Sequence, residues 1–397
     1  MGDARAVVVG AGLGGLAAAA GLARAGWRVD LHERAGSLEP VGAGISLWPN
    51  ALRALDVLGA ADGVRRLAAL GAGTGIRRPD GRWIARSDLA DAVRNRYGDP
   101  VVVLARAELT ALLADLLPDG CLHPGSAVER VEPGDPRGAP ARVVLTTGEH
   151  VEADLVVAAD GIGSPVRTAL FPHHPGPSYA GYTAWRFLTG APPGATGSET
   201  WGTCGQRFAI VPMAGGRAYC YATASAPPGT RSDDEAQELR RRFGGWHEPV
   251  PQLLAGLGPG DVLHHDVLEL ATPLPRFDAG RVALVGDAAH AMTPELGQGG
   301  CLALEDAVTL AVLAAPAAAG TAPPGALAGA LERYTRLRLP RTTRLAARSR
   351  SAGRITQASS PLGRRLRDLS APLVGVVPAG LLVRGLAPVV DWHPPRG

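Results

Sequence analysis

Hydrophobic positions at the start of the chain fall into a short run, a longer stretch and a second short run. Residues 5–9 are mostly valine, residues 16–25 are rich in Ala and Leu, and residues 28–32 form the second run. The glycine-rich segment at residues 10–15 separates the first run from the longer stretch. The pattern predicts a strand, a helix and a second strand, which is the βαβ unit typical of a parallel sheet.

Later segments continue the alternation of helices and strands. The pattern predicts helices at residues 51–58 and 108–117, and strands at residues 142–146 and 155–159. From residue 182 to residue 224 it changes to short aromatic and β-branched runs punctuated by Gly and Pro. That change predicts an antiparallel sheet, which we assign to a substrate-binding part.

The alternation of strand-like and helical segments returns towards the end of the chain. Residues 281–285 form a strand-like run, residues 297–300 form a second glycine-rich turn, and residues 301–314 form an apolar helix. Residues 315–325 are rich in Pro, Ala and Gly, which predicts a loop between helices. Helices dominate the remainder of the chain.

These elements predict an α/β fold in which a Rossmann-like nucleotide-binding domain is interrupted by a domain built on an antiparallel sheet. A chain of 397 residues exceeds the length at which one core usually keeps growing. We therefore predict that residues 1–175 and 270–330 form the nucleotide-binding domain. Residues 176–269 form the antiparallel-sheet substrate domain, and residues 331–397 form C-terminal helices.

Composition removes several function classes. All 40 basic residues are arginine, so a Schiff-base lysine and a P-loop lysine are both excluded. The net charge is only +3 and the arginines are scattered, so we expect no nucleic-acid partner, which needs a basic stripe. The 4 cysteines lie far apart without a C-x-x-C pair. We therefore expect no metal site, no disulfide framework and a cytoplasmic location.

The mostly apolar stretch at residues 371–390 is the segment that most resembles a membrane span. Pro372, Pro378, Pro388 and Arg384 interrupt it, and a spanning helix tolerates such residues poorly without neighbours. We therefore expect no membrane span, and one or two C-terminal helices packed on the body of the protein.

The first glycine-rich turn meets the structural conditions of a dinucleotide-binding motif, because it follows a strand and opens a helix. Gly10 permits the tight turn, Gly12 lets the backbone approach a pyrophosphate, and Gly15 lets the helix pack closely on the strand. The helix N-terminus adds free N–H groups and a positive dipole end. Glu33 ends the second strand, where an acid can accept bonds from ribose hydroxyls. An acid there favours FAD or NAD over NADP, and the motif alone does not separate FAD from NAD.

A second strand-turn-helix contains Asp287 and the turn at residues 297–300. Taken alone, Asp287 could simply be a helix N-cap. Its combination with a second glycine-rich turn and a second helix start favours a second contact region for the same dinucleotide. The dipole of that helix would stabilise the negative charge that a reduced flavin carries near N1 and O2.

Three segments together resemble the fingerprints of the group A FAD-dependent monooxygenases, which include para-hydroxybenzoate hydroxylase, salicylate hydroxylase and the urate hydroxylases. They are the turn at residues 10–15 with Glu33 and Arg34, the pair Asp160-Gly161 after a strand, and residues 286–288. The resemblance covers most of residues 5–310. It implies a GR2-type Rossmann-like domain that binds FAD, with NADH or NADPH as a transient co-substrate.

The resemblance also implies roles for individual residues. Glycines 297, 299 and 300 would lie beside the flavin ring, and Pro294 would lie close to its reactive carbon. Asp287 would bind the ribityl or pyrophosphate region. The full set of FAD-binding residues that it implies is Gly10, Gly12, Leu13, Gly14, Gly15, Glu33, Arg34, Ser46, Arg106, Val128, Asp160, Gly161, Asp287, Gly297, Gln298, Gly299, Gly300 and Cys301.

In this family NAD(P)H reduces the flavin, which then reacts with O₂ to form a C4a-hydroperoxide that transfers one oxygen atom. The resemblance thus implies hydroxylation or epoxidation of a small aromatic or conjugated molecule. Arg207, Tyr219 and Pro294 are the candidate catalytic residues, and Tyr219 could deprotonate or hydrogen-bond a substrate hydroxyl. Equally, Arg207 and Tyr219 could be ordinary sheet residues. We expect the aromatic side chains of Trp185, Trp201 and Phe208 to line a flat, apolar pocket.

Two other functions remain open on the sequence. A flavin-dependent reductase or saturase would use the same FAD-binding motifs without consuming oxygen. An NAD-linked dehydrogenase would use the first βαβ unit alone, and it would leave residues 286–300 unexplained. A flavin halogenase is excluded, because that class relies on a catalytic lysine and this chain has none.

Overall fold

The computed structural model describes residues 4–38, 43–70, 74–87, 89–203, 205–318, 323, 325–357 and 379–396. Its strands are β1 (Arg5–Val9), β2 (Arg28–Glu33), β3 (Gly44–Leu47), β4 (Ala69–Leu70), β5 (Thr74–Arg77), β6 (Trp83–Ser87), β7 (Val102–Ala105), β8 (Leu122–Pro124), β9 (Val128–Glu132), β10 (Ala141–Leu145), β11 (His150–Ala153), β12 (Leu155–Ala158), β13 (Ser178–Gly190), β14 (Ser198–Trp201), β15 (Arg207–Met213), β16 (Arg217–Ser225), β17 (Leu263–Glu269), β18 (Asp278–Ala279) and β19 (Val282–Leu284). Its α-helices are α1 (Leu13–Arg24), α2 (Pro49–Leu58), α3 (Ala61–Leu67), α4 (Leu89–Tyr97), α5 (Arg106–Ala114), α6 (Pro165–Leu170), α7 (Glu235–Phe243), α8 (Val250–Ala255), α9 (Asp287–His290), α10 (Gly299–Ala318), α11 (Ala326–Thr356) and α12 (Ala379–Val390).

A six-stranded sheet in the order β18-β19-β12-β1-β2-β8 forms the centre of the nucleotide-binding part. Its strands pair in parallel, except for the antiparallel edge strand β18. The central strand β1 is almost fully buried because it contacts helix α1 and the small sheet β11-β10-β9, which explains its unbroken apolar run. The predicted α/β class and the initial βαβ unit are confirmed.

A seven-stranded sheet in the order β17-β13-β16-β15-β14-β5-β6 forms the second part. Its pairings are antiparallel except between β14 and β5. The antiparallel sheet predicted for residues 182–224 is therefore present. The predicted limits of the sheet domain, residues 176–269, do not include β5 and β6, which reach this sheet from the N-terminal part. Short strands of this kind are defined by pairing with residues far along the chain, so their local pattern is weak.

The two faces of the second sheet differ because successive strand residues point to opposite sides. The back face carries Trp185, Phe187 and Phe208, which are buried in a cluster with residues of α7 and α8. The front face carries Arg207 and turns towards the six-stranded sheet. The expectation that Trp185 and Phe208 line a pocket is therefore wrong. Phe208 follows Arg207 directly in β15, so the two side chains point to opposite faces of the sheet.

The C-terminal helices join the two parts. Helix α11 contacts the nucleotide-binding part through the Tyr334 hydroxyl, which donates a 2.8 Å hydrogen bond to the Leu284 carbonyl. Just beyond its other end, the Gln357 side chain donates to Thr223 Oγ1 in the second sheet at 3.1 Å. The smaller sheets, β11-β10-β9 and β3-β7-β4, flank the nucleotide-binding part.

Helix α10 is the one described helix that is long and apolar enough to cross a membrane by length and composition, and 72% of its apolar window is buried inside the protein. It packs on α1, where a Cβ atom on Gly21 would lie 2.9 Å from Ala311 Cβ. Helix α10 is therefore a core helix. Of the apolar stretch at residues 371–390, residues 371–378 lie outside the described residues, and the remainder is α12.

Candidate functional site

A cavity of about 840 Å³ lies between the front face of the second sheet and the nucleotide-binding part. Both glycine-rich turns line it, although they are almost 290 residues apart in the sequence. The structure thus brings the two predicted motifs to one cleft. The predicted site residues that line this cavity are Gly12, Leu13, Gly14, Ser46, Arg106, Gly161, Arg207, Tyr219, Asp287, Pro294, Gly297, Gln298, Gly299 and Gly300.

The first turn combines close packing on one side with open space on the other. Gly10 has a φ of +95°, and a Cβ atom on Gly15 would lie 1.9 Å from the Gly10 carbonyl oxygen. Neither residue lines the cavity, and both hold the turn against the sheet. A Cβ atom on Gly12 would meet nothing within 4 Å and would project into open space. The turn therefore leaves room for a ligand at Gly12.

The start of α1 suits an anionic ligand. Its N-cap position, Gly12, offers no side-chain cap, and its first turn contains no acidic residue. The backbone N–H groups at this end are therefore left for a ligand, and the helix dipole favours a negative charge there. These features fit the pyrophosphate of a dinucleotide.

Five other predicted FAD-binding residues lie away from the cavity lining: Glu33, Arg34, Val128, Asp160 and Cys301. Glu33 accepts hydrogen bonds from the backbone N–H of Ala11 at 2.7 Å and from that of Ala35 at 2.9 Å. Its carboxylate therefore holds the first turn. Arg34 is exposed, and Val128 is half-buried at the start of β9. The Asp160 carboxylate accepts from the Val166 N–H at 3.2 Å, and burial raises its pKa.

The second glycine-rich turn leads into helix α10, whose first helical turn also contains no acidic residue. Gly297 adopts a φ of +59°, a left-handed conformation that favours glycine. Cys301, the last residue that the resemblance places beside the flavin, has a fully buried thiol whose pKa burial raises to about 12. The thiol donates to the Gly297 carbonyl at 3.6 Å, so it packs behind the turn rather than in the cavity.

A buried charge cluster lies beneath the second turn. The Arg338 guanidinium donates to Glu305 at 2.6 Å and to Asp306 at 2.5 Å, and none of these side chains is more than 1% exposed. Asp306 also bonds His290 Nε2 at 2.5 Å and accepts from the Gly286 N–H at 2.9 Å. Burial alone would raise the pKa of Asp306, but His290 and Arg338 outweigh it and hold the pKa below its usual range. The cluster therefore anchors the segment that precedes the turn.

Asn50 extends this cluster to the cavity. Its Nδ2 donates to Glu305 Oε1 at 2.6 Å and to Gln298 Oε1 at 2.9 Å. Gln298 is thereby fixed in orientation between two glycines of the turn.

The front face of the second sheet carries an ion pair inside the protein. Arg207 Nε donates to Glu199 Oε1 at 2.6 Å, and Arg207 also lies 3.6 Å from Glu295. The Tyr221 hydroxyl donates to the other oxygen of Glu199 at 2.7 Å. Burial alone would raise the pKa of Glu199, but the charge of Arg207 outweighs it and lowers that pKa. The charge of Arg207 is thus neutralised by two carboxylates.

Tyr219 lies at the same face with its ring against β3. It is 8% exposed, and a Cβ atom on Gly44 would lie 2.5 Å from its ring. Burial raises the pKa of Tyr219, although the charges of Arg186 and Arg106 oppose the rise. The hydroxyl therefore keeps its proton at neutral pH, which leaves it able to donate a hydrogen bond.

Sequence reasoning missed several residues of the cavity. Glu199, Glu295 and Arg186 line it as charged groups, and Leu382 and Leu386 of α12 form part of its wall. A charged residue within the apolar stretch of β13 was the available signal for Arg186, whereas the short polar strand β14 gave no such signal for Glu199. No local signal marks Leu382 and Leu386, because only the packing of α12 brings them to the cavity.

We predict that Glu199→Gln destabilises the protein in a pH-dependent way. The lowered pKa of Glu199 means that its charged form stabilises the folded state above the usual glutamate pKa of 4.5. That stabilisation is lost as the pH falls through the folded-state pKa. The unfolding free energy of the variant should therefore be lower than that of the natural protein at neutral pH, and the difference should shrink below about pH 4.5.

The control is Glu152→Gln, because the Glu152 side chain is 60% exposed. This substitution should change the unfolding free energy little. Urea titrations of the three proteins across this pH range test the prediction. A difference for Glu199→Gln that is constant with pH would contradict it.

Among the described residues, no group of three or more His, Cys, Asp or Glu side chains is placed to hold a metal ion. His264 and His265 are adjacent on β17, but His264 stacks on Trp185 at the back face with ring centroids 4.5 Å apart.

Comparisons with known proteins agree on one family. The family model described as "FAD binding domain" matches residues 3–349. The aurachin C monooxygenase/isomerase of Stigmatella aurantiaca is 38% identical, over 88% of this chain and 89% of that protein. The 3-amino-4-hydroxybenzoate 2-monooxygenase of Streptomyces cremeus is 36% identical, over 88% of this chain and 86% of that protein. The crystal structure of Klebsiella pneumoniae HpxO complexed with FAD and uric acid has a TM-score of 0.87 and 29% identity, and it covers 98% of this chain and 97% of that chain.

Proposed function

Because this chain belongs to the FAD-binding group A flavin monooxygenases, we propose that it oxygenates a small aromatic or heteroaromatic compound in the cavity between its two sheets. The observation that carries this proposal is that both glycine-rich turns and the polar face of the second sheet surround one cavity of about 840 Å³. The relatives support a ring substrate, since their names include 3-amino-4-hydroxybenzoate and uric acid. Bound FAD, reduced by NADH or NADPH, would supply the redox chemistry by which O₂ reacts with the substrate.

The residues present fit FAD. We propose that the start of α1, with Arg106 and Ser46, holds the pyrophosphate and adenosine side. Asp287 would bind the middle of the cofactor. The turn at residues 297–300 would lie beside the flavin, where the dipole of α10 stabilises negative charge. Support comes from the open space at Gly12 and from the two helix starts without acidic residues.

We assign three roles to residues on the substrate side of the cavity. Tyr219 donates a hydrogen bond to a substrate oxygen, because its raised pKa keeps the hydroxyl protonated. Arg207, paired with Glu199, holds the polar face in one arrangement. Helix α12 and Trp48 exclude water from the cavity, which prevents side reactions of a reactive oxygen species.

The proposed function is tested by screening phenols, aminophenols and nitrogen heterocycles for faster NAD(P)H oxidation. We expect at least one compound to stimulate oxygen uptake and to give a product with one added oxygen atom. Substrate reduction without oxygen uptake would indicate a reductase. A purified protein without the yellow colour of flavin would instead favour an NAD-linked dehydrogenase.

Tyr219→Phe is predicted to lower kcat/KM for the hydroxylated substrate by about 10-fold, because a neutral hydrogen bond contributes about 1 kcal/mol or somewhat more. Tyr179→Phe is the matched control, since the Tyr179 hydroxyl bonds the Ala226 carbonyl outside the cavity. Steady-state oxygen uptake measures both variants. Unchanged kcat/KM in Tyr219→Phe would remove Tyr219 from the site.

We also propose a cytoplasmic location without a membrane span. The support is that the described cysteines, Cys121, Cys220 and Cys301, are buried free thiols, as is usual in a reducing compartment.

A further inference from the structure

Helix α12 gives the cavity an apolar wall. Leu382 and Leu386 lie four residues apart, on the same side of α12, and both line the cavity. Trp48 and Met292 line it as well, and together with Leu386 they pack against one buried hydrophobic cluster. We call these four residues the α12 wall. All four are half-buried, and none of them carries a charge.

Neighbouring elements extend the apolar lining. Helix α4, which packs against α12, contributes Ala90, and the strands before it contribute Ile76 and Ala85. Arg86 also lines the cavity, but it is exposed, and its guanidinium lies 4.5 Å from the centre of the Trp83 ring. These elements therefore offer a ligand mainly aliphatic surface.

Helix α12 is fixed to two other helices at its C-terminal end. The last carbonyl groups of a helix have no partner within the helix itself. Here the Arg53 side chain, from α2, donates to the Val390 carbonyl at 3.0 Å, and the Arg341 side chain, from α11, donates to the Val389 carbonyl at 2.7 Å. Both arginines also place positive charge at the negative end of the helix dipole. The α12 wall is therefore part of the folded protein before any ligand binds.

The α12 wall comes largely from outside the region that defines the family. Helix α12 lies beyond residue 349, where the match to the family model ends. Only one side of this helix lines the cavity, since Leu381, the neighbour of Leu382, is 56% exposed and is not part of the lining. The wall is thus a feature that can set the substrate preference of this chain without altering the FAD-binding motifs.

The α12 wall also reaches the second glycine-rich turn, which we assign to the flavin. A Cβ atom on Gly297 would lie 3.4 Å from Trp48 Nε1. The front face of the second sheet, by contrast, lines the same cavity with the hydrogen-bonding side chains of Glu199, Arg207 and Tyr221. The cavity thus combines a polar face with an apolar wall. Apolar atoms of a ligand gain free energy when they leave water and cover such a wall.

We propose that the substrate ring carries an apolar chain, alkyl or alkenyl, which lies along the α12 wall, and that Leu382 and Leu386 determine the length of chain that fits. This inference rests on the proposed function, and it adds the class of substrate: a chain-substituted arene or heteroarene. The polar face then holds the substituents of the ring, while the wall holds the chain. If the wall only excluded water, the length of the chain would not affect binding.

The test uses holoenzyme and two series of ligands, the 3-alkylphenols and the 4-alkylphenols, with chains from methyl to hexyl. Binding is followed by the change in the visible spectrum of bound FAD. In at least one series we expect the dissociation constant of the natural protein to fall about 4-fold for each methylene that is buried, up to a limiting length. Beyond that length the gain should stop.

Three variants locate the effect on α12. Leu386→Ala opens space and should lengthen the limiting chain by about two methylenes, whereas Leu382→Phe fills space and should shorten it. Leu381→Ala is the matched control, because Leu381 lies on the same helix but outside the lining. It should leave the whole series unchanged. Flavin absorbance per protein should be the same in all three variants, which shows that the site for FAD is intact.

The inference is overturned if the natural protein gains no affinity with chain length in either series. It is also overturned if Leu386→Ala and Leu382→Phe keep the natural limit, or if Leu381→Ala shifts it as much as they do. These outcomes are separate from failure of the proposed function. Oxygen uptake stimulated by unsubstituted rings alone would uphold the function while ending this inference. Length-dependent binding without an oxygenated product would do the reverse.

Discussion

Gly12→Val is expected to fold normally and to bind FAD at least about 100-fold more weakly than the natural protein. The backbone at Gly12 has φ of −69° and ψ of 177°, which valine adopts without strain, and its Cβ would meet no protein atom within 4 Å. The isopropyl group would instead occupy the space beside the start of α1. Losing two charge-assisted bonds to the pyrophosphate, at about 1.5–3 kcal/mol each, gives a loss of this size.

Fluorescence titration of apoprotein with FAD measures the effect, and circular dichroism checks the fold. Gly163→Val is the matched control, because Gly163 follows the Asp160-Gly161 pair, has no atom within 4 Å of an added Cβ and does not line the cavity. If Gly12→Val retained FAD with natural affinity, the first turn would not hold the cofactor. The assignment of both turns to one dinucleotide would then fail.

Arg338→Met is expected to lower the free energy of unfolding by about 3–5 kcal/mol, because it leaves buried carboxylates without their counter-charge. Arg338 is 1% exposed and bonds both Glu305 and Asp306, which are fully buried. Arg341 and His290 still contact these acids, so the loss is not total. Urea unfolding of the apoprotein measures the change without the contribution of FAD binding.

The control for this variant is Arg336→Met on the same helix. Its side chain is 67% exposed and lies 4.0 Å from Glu332, so the change should cost less than about 1 kcal/mol. Equal stability of the two variants would mean that the buried cluster does not stabilise the fold. A selective loss of FAD affinity in Arg338→Met would show that the cluster also holds the segment before the second turn, through the bond from the Gly286 N–H to Asp306.

The motifs whose structure depends on residues close together in the sequence were predictable. Strand β1, the turn after it and helix α1 follow from a run of valines, from glycines where a side chain would collide, and from an apolar helical stretch. The same holds for the turn before α10. Their order along the chain was enough to identify the family, because three spaced motifs are far more specific than one.

The polar side of the cavity could not be predicted in the same way. Arg207 was a candidate because of the resemblance to the urate hydroxylases, but its partners come from the neighbouring strand and from two distant segments: Glu199, Glu295 and, at 3.2 Å, Thr356. Arg186 was not a candidate, although it lines the cavity. Whether an arginine is neutralised depends on which segments fold against it, and no local pattern records that.

The sequence by itself determined the kind of domain, its cofactor and the existence of two sheets, because short-range sterics and residue periodicity govern these features. Only the tertiary structure decided which face of the second sheet meets the cavity, since helices α7 and α8 cover the other face. It also decided that Leu382 and Leu386 close the cavity wall. These features depend on contacts between residues that are far apart in the sequence, and such contacts form only once the chain has folded.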